Sequence, residues 1–128
     1  MRFLLDTHAF LWWVTDDDRL SDRAGELIAE GTNDVFFSAA SAWEIAIKAG
    51  LGRIRLPDDA WSFAPDQLER NAFQPLPVHV RHAVAVIALP DLHGDPFDRM
   101  LVAQAVTEGL TLLSGDQMLS EYPVTVEW

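Results

Sequence analysis

FLLDTH, residues 3 to 8, is an apolar run that reads as a buried strand and ends on a carboxylate. A charge at that point is costly unless something meets it, so the stretch fixes a strand end and asks what Asp6 is for. Outward from it, the same pattern recurs. Val35 to Phe37 and Thr111 to Leu113 are short apolar runs, Val124 to Val126 is a fourth strand candidate, and Phe73 to Leu76 is a weaker fifth. Helical patterns lie between them, over Asp22 to Glu30, Ala39 to Ala49, Asp58 to Asn71, Val78 to Leu89 and Pro96 to Glu108. Strands alternating with helices predict an α/β fold with a parallel sheet. Short runs that are apolar throughout suit strands covered on both faces. Right-handed crossovers would then bring the carboxyl ends of the strands to one edge, where ligands bind in open α/β sheets.

The 128 residues suit a single domain, residues 1–128, with no repeat or linker to divide it. Hydrophobic residues make up 49% and charged ones 23%, an ordinary balance for a globular protein. No apolar run approaches the roughly 18 residues of a membrane span. MRFLLDTHAFLWWV has the look of a signal peptide, but Asp6 and His8 interrupt it and no small-residue cleavage site follows, so a cytoplasmic protein is expected. With no cysteine there is no disulfide, thiol nucleophile or cysteine zinc site. Nine basic residues stand against twenty acidic ones, a net charge of −11. That balance argues against broad adhesion to nucleic acid, unless bound cations or a local basic patch change the field.

Four acids fall near the predicted edge: Asp6, Glu44 early in SAASAWEIAIK, Asp98 in GDPFDRMLVAQA, and Asp116 after TLLSG. Each has a purely structural explanation. Ser41 and Glu44 have capping-box spacing, and Glu44 with Lys48 makes an i,i+4 pair. Asp95 before Pro96 reads as a helix cap, which puts Asp98 where the helix dipole welcomes a negative charge. Asp116 can cap the turn through Gln117 to Glu121. Asp6 and Asp98 fit this account less well, since Asp6 continues a buried strand and Asp98 heads the apolar stripe Leu101, Val102, Ala105. Carboxylates gathered in dry surroundings repel unless protonated or neutralised, and hard cations such as Mg²⁺ and Mn²⁺ prefer an all-oxygen set.

In order and spacing, LLDTHAFLWW, SAASAWEIAIKAGLGRIRL, HGDPFDRMLVAQA and TLLSGD resemble the motifs of PIN-domain ribonucleases, closest to the VapC-type toxins of bacterial toxin–antitoxin modules. The resemblance implies a three-layer α/β/α sandwich around a parallel sheet, with acids holding Mg²⁺ or Mn²⁺ at its carboxyl edge. By position, Asp6, Glu44, Asp98 and Asp116 match the family's acidic quartet. Asp95 matches an extra acid of the DPFD subgroup, and Ser114 a position that often carries a small hydroxyl. The resemblance further implies an RNA substrate, a homodimer, and a groove for an antitoxin whose basic tail enters the acidic cleft. On that reading Asp6 and Asp98 hold the principal cation and Asp116 completes the shell or orients water. Glu44 binds a second ion or positions the nucleophile. Hydrolysis by such a site leaves a 5′ phosphate and a 3′ hydroxyl.

Lys48, Arg53 and Arg55 fall within eight residues and either guide an RNA backbone or form a solvated turn. Arg99, four residues after Asp95, is expected to pair with it, with contact to phosphate or an antitoxin carboxylate as the alternative. His8, His79, His82 and His93 are assigned surface or packing roles. AFLWWV, residues 9 to 14, is apolar all round as a helix, so part of it packs in the core and part is open to an interface, with Trp43 and Trp61 as possible neighbours. Two other classes remain. A phosphoryl-aspartate protein suits the length and acidity, yet its phosphatase form needs a second aspartate where His8 stands, and its receiver form needs a lysine where this chain has none. A non-catalytic interaction module keeping the fold is the other.

Overall fold

The computed structural model describes residues 1–56, 60–92 and 94–128. Five strands, β1 (Arg2–Leu5), β2 (Asp34–Ser38), β3 (Gln74–Leu76), β4 (Thr111–Leu113) and β5 (Val126–Glu127), form one sheet in the order β3-β2-β1-β4-β5. Every neighbouring pair is parallel. The chain builds outward from β1 to β2 and β3, then returns to add β4 and β5 on the other side. The order therefore reverses beside β1, and a crevice opens there above the carboxyl ends of β1 and β4.

Among the described residues six helices cover the sheet: α1 (Thr7–Val14), α2 (Asp22–Ala29), α3 (Ala39–Gly50), α4 (Ala60–Asn71), α5 (Val80–Ala85) and α6 (Pro96–Glu108). Short 3-10 turns follow α5 at Val86–Ala88 and β4 at Gln117–Glu121. Alternation along the strands sends side chains to two cores. Phe3 and Leu5 join Phe10 of α1, Ile28 of α2, Ile45 of α3 and Phe63 of α4 on one face. Leu4 and Leu112 join Leu101, Val102 and Ala105 of α6, with Leu119, on the other. Each large side chain buried this way contributes about 1.5–3 kcal/mol. The expected α/β/α sandwich is the architecture found.

The helix α6 matches its predicted bounds, because its ends are written in side chains. The Asp95 carboxylate accepts from the N–H groups of Phe97 and Asp98, Pro96 fills the first turn, and Gly109 leaves the helix at φ 66°. Other bounds shift. The fourth predicted strand is displaced to the two residues of β5, and the expected helix from Val78 starts at Val80 and tightens to a 3-10 turn at Val86. The weak candidate near Phe73 is the edge strand β3, where Pro75 is tolerated. The predicted start of α4 at Asp58, and His93, lie outside the described residues.

His82 is fully buried and accepts the His79 N–H on Nδ1 at 3.0 Å, a packing role as expected. Ala9 and Phe10 of AFLWWV are core residues, and its last four residues are half-buried. Trp43 and Trp61 are exposed.

Candidate active site

Asp6 leaves β1 directly into α1. Its Oδ1 accepts from the Ala9 N–H at 2.6 Å, which caps the helix, and its Oδ2 accepts the Ser114 hydroxyl proton. Ser114 comes from the end of β4, in register with β1 through the Leu5 and Leu113 pairing. The same hydroxyl oxygen accepts the Asp116 N–H at 3.1 Å, so one serine links two of the acids across the crevice. Asp116 then caps its 3-10 turn through Met118 N–H at 3.0 Å, as its spacing implied. Asp98 stands in the first turn of α6, and Glu44 in α3, the helix that follows β2.

These groups are coupled electrostatically. Burial and then the negative charges of Asp95, Asp6, Glu44 and Asp116 push the Asp98 carboxyl up to about 7. Burial likewise raises Asp6, opposed by its bonds from Ser114 and Ala9. Among the described residues, the Asp98 carboxylate receives neither a hydrogen bond nor an ion pair. The five acids thus share one field, although no three acidic or histidine side chains among the described residues stand close enough to form a ready-made ion shell. The donor set is entirely carboxylate and Asp98 has no cationic partner among the described residues, which fits a hard divalent cation.

Glu44 differs from the other acids. It is 4% exposed, its Oε2 lies 2.5 Å from Lys48 Nζ, and its Oε1 accepts the Thr7 hydroxyl at 2.6 Å. The i,i+4 pair predicted with Lys48 is therefore present. The predicted capping box is not: Ser38 caps α3, accepting from Ala40 N–H at 3.0 Å, while Ser41 lies inside the helix beside Thr7. The end of β2 comes three residues earlier than a Ser41 cap requires. Thr7 was missed in the sequence, where the signal was a hydroxyl next to the strand-end aspartate.

The basic candidates separate. Arg53 and Arg55 are exposed in the turn after α3. Arg99 donates to the carbonyls of Pro90 at 2.8 Å and Val86 at 3.4 Å and to the Tyr122 hydroxyl at 3.3 Å, rather than along its helix to Asp95. A guanidinium satisfies several carbonyls at once where an i,i+4 pair would use only one face of the fork. His8 is exposed and packs its ring 5.5 Å from that of Trp12. Beside the acids, Ala39, Trp43, Val78, Phe97 and Met100 line an apolar hollow of about 410 Å³.

The PIN-domain family model matches residues 3–124. Ribonuclease VapC22 of Mycobacterium tuberculosis is 33% identical over 135 residues, covering 96% of this chain and 96% of that protein. In fold, the chain is similar to VapBC2 from Rickettsia felis, crystallised with a DNA fragment from their promoter, at a TM-score of 0.71 and 16% identity over 100% of this chain and 99% of that one. It is also similar to FitAcB from Neisseria gonorrhoeae, at 0.66 and 18% identity over 97% and 95%. These matches set aside the phosphoryl-aspartate alternative. The chain belongs to the PIN-domain family, in its VapC-type branch.

Proposed function

We propose that the chain is a divalent-metal-dependent endoribonuclease acting as the toxin of a toxin–antitoxin pair in the cytoplasm. The observation that carries this reading is the field at Asp98, raised to about 7 by burial and by four neighbouring acids. A cluster of that kind is relieved at neutral pH by a proton or by a cation among its members, and the cation leaves every carboxylate ionised. The relative named a ribonuclease, and the solved VapBC and FitAB assemblies, support RNA as substrate and an antitoxin as partner.

Asp6, Asp98 and Asp116 would hold Mg²⁺ or Mn²⁺, with Glu44 buried beside them and Asp95 supporting Asp98 from the helix cap. When bound, the ion supplies an activated water and charge stabilisation on the phosphoryl oxygens. The residues do the rest. Ser114 keeps Asp6 and Asp116 aimed into one crevice, and the α6 cap presents Asp98 to it. Arg53 and Arg55, exposed beyond α3, attract the RNA backbone toward a molecule whose overall charge repels it. The antitoxin supplies a basic segment to the acidic cleft and apolar contacts to the surface bearing Trp43 and Trp61. The chain acts as a homodimer.

RNA breakdown by the purified chain should require Mn²⁺ or Mg²⁺, stop with chelator, and fall by at least about 100-fold in Asp98→Asn. Products should carry 5′ phosphates. Cleavage that survives chelator and the substitution overturns the reading. No cleavage across a broad RNA panel, together with tight antitoxin binding, would make the chain a non-catalytic module.

A further inference from the structure

We propose that Lys48 is a built-in counter-ion that occupies Glu44, so that the acidic cleft takes one divalent cation rather than two. The inference rests on the metal-site reading above and deepens it. Glu44 is buried, and both of its oxygens are already engaged: Oε2 with Lys48 Nζ at 2.5 Å, Oε1 with the Thr7 hydroxyl at 2.6 Å. Thr7 has a single hydroxyl proton. Because it goes to the carboxylate, the contact of 2.9 Å between the Thr7 and Ser41 hydroxyls must run the other way, with Ser41 donating. The chain Ser41 to Thr7 to Glu44 is therefore polar in one direction and holds the carboxylate oxygen that Lys48 does not.

A second ion on Glu44 would have to displace an ammonium held one helical turn away and leave that ammonium facing a dication. The carboxylate end of this pair is buried and the ammonium end is 31% exposed, so a second ion would compete with a charge already in place on a desolvated oxygen. Asp98, by contrast, has no cationic partner among the described residues, and Asp6 accepts only from neutral donors, one N–H and one hydroxyl, so neither carboxylate would have to give up a counter-charge to a cation. Glu44 and Lys48 together are neutral, so Asp6, Asp98 and Asp116 face one dication, with Asp95 in the same field. Removing Lys48 uncovers one further charge and frees one oxygen, which makes room for a second ion. Lys48 is 31% exposed, the chain's only lysine, and so sits at the rim of the cleft rather than behind it.

The test is a Mn²⁺ titration of the RNA-free chain, reading free ion by electron paramagnetic resonance and total binding by calorimetry, with thermal melts to establish folding. Wild type should bind one Mn²⁺ and Lys48→Met two. Lys48→Met combined with Glu44→Gln should return to one, and Lys48→Arg, which keeps the charge, should bind one. Two ions on the wild type overturn the proposal whether or not Lys48→Met folds, and one ion on a folded Lys48→Met overturns it as well. No ion on the wild type and none on Lys48→Met would instead overturn the metal-site reading beneath it.

Discussion

Asp98 holds its proton more tightly in the folded chain than its ordinary value of 3.8 allows, up to about 7. A carboxyl raised by folding costs stability once the unfolded chain ionises. The contribution of Asp98 to the stability of the metal-free protein should therefore be fully present below about pH 4, be lost as the pH rises to about 7, and level off above. The full shift would amount to about 4 kcal/mol, but Asp98 is half-exposed and solvent screens its neighbours, so about 1–2 kcal/mol is expected. Asp98→Asn should thus raise the melting temperature of the metal-free chain by about 3–8 °C at pH 8 and leave it unchanged at pH 4. Calorimetric melts at the two pH values check this, and a lower melting temperature at pH 8 would refute it. Ser114→Ala removes the hydroxyl shared by Asp6 and Asp116. Since such outer partners tune ion affinity, Mn²⁺ binding should weaken by about 10–100-fold, measured by calorimetry.

At the scale of elements, helix ends decide where the acids stand. Ser38 ends β2 and caps α3, and it also donates to Gln104 Oε1 of α6 at 2.5 Å, so one buried hydroxyl fixes the two helices that carry Glu44 and Asp98. Ser38→Ala should cost about 1–3 kcal/mol and lower the denaturant midpoint without changing the slope. Gly115 stands between Ser114 and Asp116, and a Cβ there would lie 2.8 Å from the Trp128 ring. Gly115→Ala should cost about 1 kcal/mol as the ring shifts, with a larger loss in Mn²⁺ affinity, read by the same titration. These elements were unequally legible in the sequence. The α6 boundaries could be read because Asp95, Pro96 and Gly109 act locally, and β1 because a charge ends an apolar run. The true cap of α3 could not, since Ser38 and Ser41 both fit and only the pairing of β2 with its neighbours chooses between them. Thr7 was invisible for a related reason: its partner lies 37 residues away. The acids themselves could be named, and the i,i+4 spacing showed Lys48 on Glu44, but nothing local tells that Thr7 holds the other oxygen or that Asp98 is left without a partner among the described residues.

Over the whole molecule, a net charge of −11 on 128 residues repels itself. Monovalent salt should therefore stabilise the metal-free chain at pH 8, raising its melting temperature by a few degrees between about 10 mM and 0.3 M. A flat or falling curve would show that local pairs outweigh the global field. No helix among the described residues is long and apolar enough to cross a membrane. The strand order has a consequence in time. β1 lies at the centre, yet its pairing with β4 joins Phe3 to Thr111, so the crevice between them cannot close until the distal part of the chain has been synthesised. Until then the growing chain holds Asp6 and Glu44 without Ser114 and Asp116, and the acidic edge is incomplete.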